Sequence, residues 1–95
     1  MYKILFDVDF RKNIKKLDVT RQKAILKKID FLRDNPDHPS LRTEKLYKGT
    51  TNETRASSIN MGIRLIWQLI GDEIKVIDVG GHDIYRKYKF KKKRQ

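Results

Sequence analysis

Arg64 stands inside IRLIWQLI, residues 63–70, an otherwise almost wholly apolar run where a charge is costly to keep. A guanidinium there needs a carboxylate, such as Asp78 or Asp83, a set of backbone acceptors, or an anion held in a cleft. Further along, His82 follows Gly80-Gly81, a pair that permits backbone paths other residues resist and can present the ring at the end of an apolar strand. A lone histidine is ordinarily structural or exposed. Here a basic surface and two tyrosines, Tyr85 and Tyr88, surround it, so proton transfer near neutral pH is an equal reading. Arg55, Ser57, Asn60 and Asp83 add polar groups to the same stretch, residues 53–88. Whatever chemistry the chain performs is expected there.

The elements that must position these groups follow from periodicity. Residues 2–8 (YKILFDV) read as a strand. Asp9 is the expected cap of a short helix whose stripe is Phe10, Ile14 and Leu17, with Arg11, Lys12, Lys15 and Lys16 on the solvated side. Thr20 is the expected cap of a second helix over residues 21–34, burying Ile25, Leu26, Ile29 and Leu32 and stopped by Asn35-Pro36. Residues 34–49 form a loop that contains both prolines, His38 as an exposed loop residue, and the basic spacing Arg42, Lys45, Lys48. Within it residues 43–47 could form a short edge strand, and residues 49–52 (GTTN) a turn.

Three strands then follow closely. In residues 53–60, Arg55, Ser57 and Ile59 share one face and Ala56, Ser58 and Asn60 the other. Residues 63–70 are the central strand, with Arg64 and Gln68 on its even face, and residues 73–79 (EIKVIDV) pair with it across Gly71-Asp72. The expected fold class is α+β: an N-terminal strand, a two-helix hairpin, then a three- to four-stranded antiparallel meander, with the helices packed on one side of the sheet.

With 95 residues and 11.4 kDa, the chain has room for one domain, expected over residues 1–88, followed by a basic tail at 89–95. There is no cysteine, which excludes disulfides and thiolate chemistry, and two histidines make a poor basis for a metal centre. No apolar run is long enough to span a membrane and the N-terminus does not read as a signal peptide, so a cytoplasmic location and no membrane partner are expected. The net charge of +11 and pI near 10 point to a polyanionic partner. Six of those charges fall in the last nine residues, leaving +5 on the first 86.

The order of these pieces resembles the RelE/ParE toxin superfamily. The resemblance rests on a first strand ending in Asp, the Asn35-Pro36 stop, LRTEKLYKG, the polar strand leading into Arg64-Leu65-Ile66-Trp67, and the apolar strand ending in Val79-Gly80-Gly81-His82. It implies a RelE-like or YafQ-like mRNA interferase of a type II toxin–antitoxin system. Such a protein cleaves mRNA in the ribosomal A site, needs no cofactor and no metal, and is neutralised by an acidic antitoxin. The site it implies has Arg64 on the phosphate, His82 protonating the departing 5′-oxygen, Arg55 in the catalytic set and Tyr85 stacking or assisting proton transfer. Lys45, Lys48, Ser57, Arg86 and Tyr88 are the implied RNA-binding positions. Two alternatives from other classes remain at this level: a ParE-like gyrase inhibitor that cuts nothing, and a non-catalytic RNA-binding module.

Overall fold

The computed structural model describes residues 1–46, 54–60 and 62–88. Along the chain come β1 (Lys3–Phe6), α1 (Val8–Ile14), α2 (Val19–Asp34), a 3-10 turn (Pro39–Leu41), β2 (Glu44–Leu46), β3 (Thr54–Asn60), β4 (Ile63–Ile70), β5 (Glu73–Gly80) and α3 (Ile84–Tyr88). The five strands form one sheet in the order β1-β5-β4-β3-β2. β1 runs parallel to β5, and the other pairings are antiparallel. The sheet is therefore mixed, with the α1–α2 pair carrying the chain from one edge strand to the other.

Both helix starts differ from the sequence expectation in the same way. Asp7, not Asp9, caps α1 by accepting from the Val8 N–H, and Asp18, not Thr20, caps α2 by accepting from the Arg21 N–H. At α2 the Asp18 carboxylate meets the unpaired donors of the first turn with a full charge that the Thr20 hydroxyl lacks, whereas α1 begins at Val8, so that Asp9 already lies inside its first turn. α2 buries Ile25, Ile29 and Leu32, whereas Leu26 is 50% exposed. Leu26 sits about 100° round the helix from Ile25, off the stripe that faces the sheet.

The helix-facing side of the sheet contributes Ile59, Ile63, Leu65, Trp67, Ile74, Val76 and Val79 to a core with Phe10, Ile25, Ile29 and Leu32. The opposite side is not bare, and here the expected single helical layer is corrected. α3 packs there, with Ile84 and Tyr88 against Leu46, Ala56 and Ile66. The short apolar spacing from Ile84 to Tyr88 is a single helical turn, too little to stand out as a period.

A bulge in β5 matters for the site. Ile66 pairs with Asp78 and Trp67 with Val76, leaving Ile77 as the extra residue. Asp78 is thereby turned to the α3 side while Val76 and Val79 stay in the helix-facing core. Among the described residues no helix is long and apolar enough to cross a membrane.

Candidate functional site

Where β4 begins and β5 ends, the two strands lie side by side, with Arg64 opposite Gly80. Gly80 has no side chain to cover the guanidinium. Arg64 is half-buried and donates from Nη1 to the carbonyls of Asn60 at 3.0 Å and Ile63 at 3.1 Å. Its Nε donates to the Tyr85 hydroxyl at 3.2 Å, and Nη2 lies 3.1 Å from His82 Nε2. Backbone acceptors thus supply much of what the buried charge requires. Asp78, one of the carboxylates expected for Arg64, is instead held by Asn13, the Val79 N–H, Lys87 and Tyr88.

His82 sits in the turn after β5, exposed, and meets the edge of the Tyr85 ring with centroids 6.2 Å apart. The turn places it as expected, but not through unusual glycine geometry. Among the described glycines only Gly71 has a positive φ, at 62°, and a Cβ on Gly80 or Gly81 would meet neighbours no closer than 3.5 Å. α3 then brings Tyr85 back over Arg64, and the Tyr85 hydroxyl donates to Glu44 Oε2 at 2.8 Å. Burial, then the bond to Glu44, pushes the Tyr85 hydroxyl above its usual value, while Arg64 opposes the shift. At neutral pH the group is therefore a protonated donor.

The result is a chain of contacts running His82, Arg64, Tyr85, Glu44, drawn from β2, β4, the β5–α3 turn and α3. Its His82–Arg64 end borders an open cleft of about 730 Å³ lined by Lys28, Ser40, Arg42, Ser58, Ile59, Asn60, Arg64 and His82. The cleft offers a fixed guanidinium, an imidazole and cationic walls, a set suited to an anionic ester.

Of the residues singled out in the sequence, Arg64, His82 and Tyr85 come together. Arg55 does not join them. It pairs with Trp67 and so lies on the helix-facing side of the sheet, its guanidinium 5.3 Å from the Trp67 ring and 3.9 Å from Asp37. Lys45, paired with Arg55, lines a second cleft with it. Ser57 is fully buried, bonded to Thr43 Oγ1 at 2.8 Å and to Trp67 Nε1 at 2.9 Å. Tyr88 is 7% exposed, with its hydroxyl donating to Asp78. These placements replace the expected RNA-facing roles of Ser57 and Tyr88, since neither side chain is open to a ligand. Arg86 is exposed on α3, and Lys48 and the basic tail lie outside the described residues.

His38 is half-buried rather than an exposed loop residue. Its Nδ1 caps the 3-10 turn by accepting from the Ser40 N–H, and its ring stacks on Phe31 at 5.1 Å. Sequence reasoning passed over Glu44 and Lys28. Glu44 was visible as the single acid within LRTEKLYK, whereas Lys28 reaches the cleft through its bond to the Ser40 carbonyl, for which no local pattern exists. Among the described residues no group of three or more His, Asp or Glu side chains is arranged to hold a metal ion.

No family model and no curated protein matches this chain. Solved structures do. It is similar to the archaeal RelE–RelB complex from Pyrococcus horikoshii OT3, with a TM-score of 0.72 at 16% identity over 84% of this chain and 93% of that one. YafQ from E. coli BL21(DE3) gives a TM-score of 0.72 at 15% identity, over 88% of this chain and 97% of that one. The YoeB dimer from Staphylococcus aureus gives 0.66 at 22% identity, over 85% and 97%. At such identities the likeness is one of fold, and the fold is the RelE-like α+β arrangement.

Proposed function

We propose that this chain is the toxin of a type II toxin–antitoxin pair and an endoribonuclease that cleaves mRNA by attack of its own 2′-hydroxyl. The observation that carries the reading is the convergence of Arg64, His82, Tyr85 and Glu44 at one end of the sheet of a strongly basic protein. Likeness in fold to RelE, YafQ and YoeB supports it.

In the reaction the 2′-oxygen forms a bond to phosphorus and the bond from phosphorus to the 5′-oxygen breaks, leaving a 2′,3′-cyclic phosphate and a free 5′-hydroxyl. The 2′-hydroxyl proton passes to the Glu44 carboxylate, which already accepts from Tyr85. Arg64 is held by two carbonyls and offers its fork to the non-bridging oxygens, where charge grows in the transition state. As the phosphate draws the guanidinium away, His82 Nε2 is released, takes up a proton from solvent and gives it to the departing 5′-oxygen. Tyr85 fixes the orientation of both charged partners and offers a ring to a base.

The ribosome is the proposed place of action, through A-site mRNA, and the basic surface would meet ribosomal RNA as well. An acidic antitoxin is the proposed protein partner. The RelE structure of similar fold is itself a complex with RelB, and opposite charge on the two partners would speed their association.

The experiment is to express wild type and His82→Ala in cells and to map RNA ends. Codon-phased mRNA cuts that disappear in the variant are expected. Intact mRNA accompanied by gyrase-linked DNA breaks would replace this reading with inhibition of gyrase.

A further inference from the structure

We propose that His38 is a positioning residue for the cleft beside Arg64 and His82: its neutral ring holds the 3-10 turn that sets the Ser40 and Arg42 wall of that cleft, and taking up a proton releases the wall. The effect on cleavage rests on the ribonuclease reading above, whereas the release itself rests on the turn alone.

His38 Nδ1 lies 3.1 Å from the Ser40 nitrogen and 2.8 Å from the Ser40 hydroxyl oxygen. A backbone N–H only donates, so Nδ1 accepts and the ring proton of the capped form sits on Nε2. A second proton goes to Nδ1. The bond to the hydroxyl can then reverse, with the serine oxygen accepting, but the Ser40 N–H faces another N–H and loses its partner. Stacking on Phe31, with ring centroids 5.1 Å apart, limits how far the imidazole can turn away. α2 also brings Lys28 over the Phe31 ring at 5.8 Å, and the cleft that His38 lines is bordered by Asp37 and Arg42, by Lys45 of β2 and by Arg55 of β3. An imidazolium would join these groups as a further positive charge.

What the cap holds is the wall of the cleft. The Leu41 N–H bonds to the His38 carbonyl at 3.0 Å and the Arg42 N–H to the Pro39 carbonyl at 3.1 Å, which closes the turn. The Ser40 carbonyl accepts from Lys28 Nζ at 3.0 Å, so the turn also fixes that ammonium. Arg42 leaves the turn with φ 47° and ψ 54°, a left-handed backbone that a residue bearing a Cβ adopts where its surroundings impose it. Lys28, Ser40 and Arg42 line the same cleft as Arg64 and His82. Leu41 is fully buried, so loss of the cap frees the turn without unseating it from the core.

Asparagine separates the cap from the charge, because its side-chain oxygen accepts from the N–H two residues on and does not titrate. Single-turnover cleavage of ribosome-bound mRNA is compared for wild type, His38→Asn and His38→Ala between about pH 7.5 and about pH 5.5, the range in which histidine changes charge. Ratios of rates cancel the titration of His82, which all three proteins carry. His38→Asn is expected to match wild type at the upper end and to outpace it about fivefold at the lower, the effect of one lost helix cap. His38→Ala, which has no cap, is expected to be slow throughout. In parallel, NMR of wild type without RNA is expected to show the Ser40 and Arg42 amides shifting with the midpoint of the His38 ring. A ratio of His38→Asn to wild type that stays constant with pH, or a Ser40 amide that ignores a titrating His38 ring, would overturn the proposal. Cleavage by none of the three would overturn the ribonuclease reading, and the Ser40 and Arg42 amides would then decide the release by themselves.

Discussion

Arg64 Nη2 lies 3.1 Å from His82 Nε2, and because a guanidinium has only donors to offer, the imidazole nitrogen accepts in this arrangement. The resting site therefore pairs the cation proposed to bind phosphate with the group proposed to transfer a proton, and on that reading substrate must part them. Lysine at position 64 could keep the charge but not the set of four contacts to Asn60, Ile63, Tyr85 and His82. Arg64→Lys is expected to slow single-turnover cleavage by about 10²–10³-fold, the cost of removing an oriented donor from a developing oxyanion. RNA affinity should fall far less, which filter binding with an uncleavable RNA would read. A variant equally impaired in both would place Arg64 in binding alone.

Tyr85 links the cationic and anionic halves of the site. Its hydroxyl accepts from Arg64 and donates to Glu44, so phenylalanine at this position removes both bonds while keeping the ring. Tyr85→Phe is expected to lower the cleavage rate by about tenfold, the equivalent of one hydrogen bond to a charged group. An unchanged cleavage rate would remove Tyr85 from the orientation of Glu44.

The described glycines divide into one that the backbone requires and others that it does not. Gly71 has φ 62° in the two-residue turn between β4 and β5, and Gly71→Ala is expected to cost about 1 kcal/mol. Gly80→Ala would place its methyl 3.5 Å from Ile84 Cδ1, an ordinary contact, and should change stability by less than about 0.5 kcal/mol. Thermal unfolding of the two variants checks the contrast. Equal losses would mean that Gly80, and not only Gly71, is needed by the fold.

β4 and the β4–β5 hairpin were legible because an apolar run of strand length bounded by Gly71-Asp72 has few other solutions. β3 was legible in parity: Arg55 and Ser57 do share a face, as their pairing with Trp67 and Leu65 requires. That same parity separates Arg55 from Arg64, since the two lie on opposite faces of the sheet, and a reading that grouped residues by chemistry could not see the division. α3 escaped because five residues make too little periodicity, and with it went the burial of Tyr88. Choosing between Tyr85 and Tyr88 required knowing that Asp78 lies under one of them, which the β5 bulge decides. The clefts were beyond reach for a related reason: Lys28, Ser40 and Arg42 meet β3 only through tertiary packing.

Asp78 ties α1, β5 and α3 together through Asn13, the Val79 N–H, Tyr88 and Lys87, at 1% exposure. Burial alone would raise its carboxyl, yet the four hydrogen bonds together hold it below the ordinary value of 3.8. A lowered native value means that the stabilisation is whole above the unfolded value and is lost as pH falls through the folded one. The midpoint of thermal unfolding is therefore expected to drop as pH is lowered from about 4 towards 2, and Asp78→Asn should flatten that part of the curve. Tyr88 carries the opposite sign. Burial and its bond to Asp78 raise its hydroxyl well above 10.0, so its contribution is whole below that value and lost as pH rises beyond it. Tyr88→Phe should accordingly remove part of the alkaline loss. Asp78→Ala, which strands the Tyr88 hydroxyl and Asn13, should cost about 2–4 kcal/mol in denaturant unfolding. Since α3 also carries Tyr85, cleavage should fall in Asp78→Ala under conditions where the protein remains folded. Full activity in a folded Asp78→Ala variant would show that α3 keeps its place over Arg64 without this anchor.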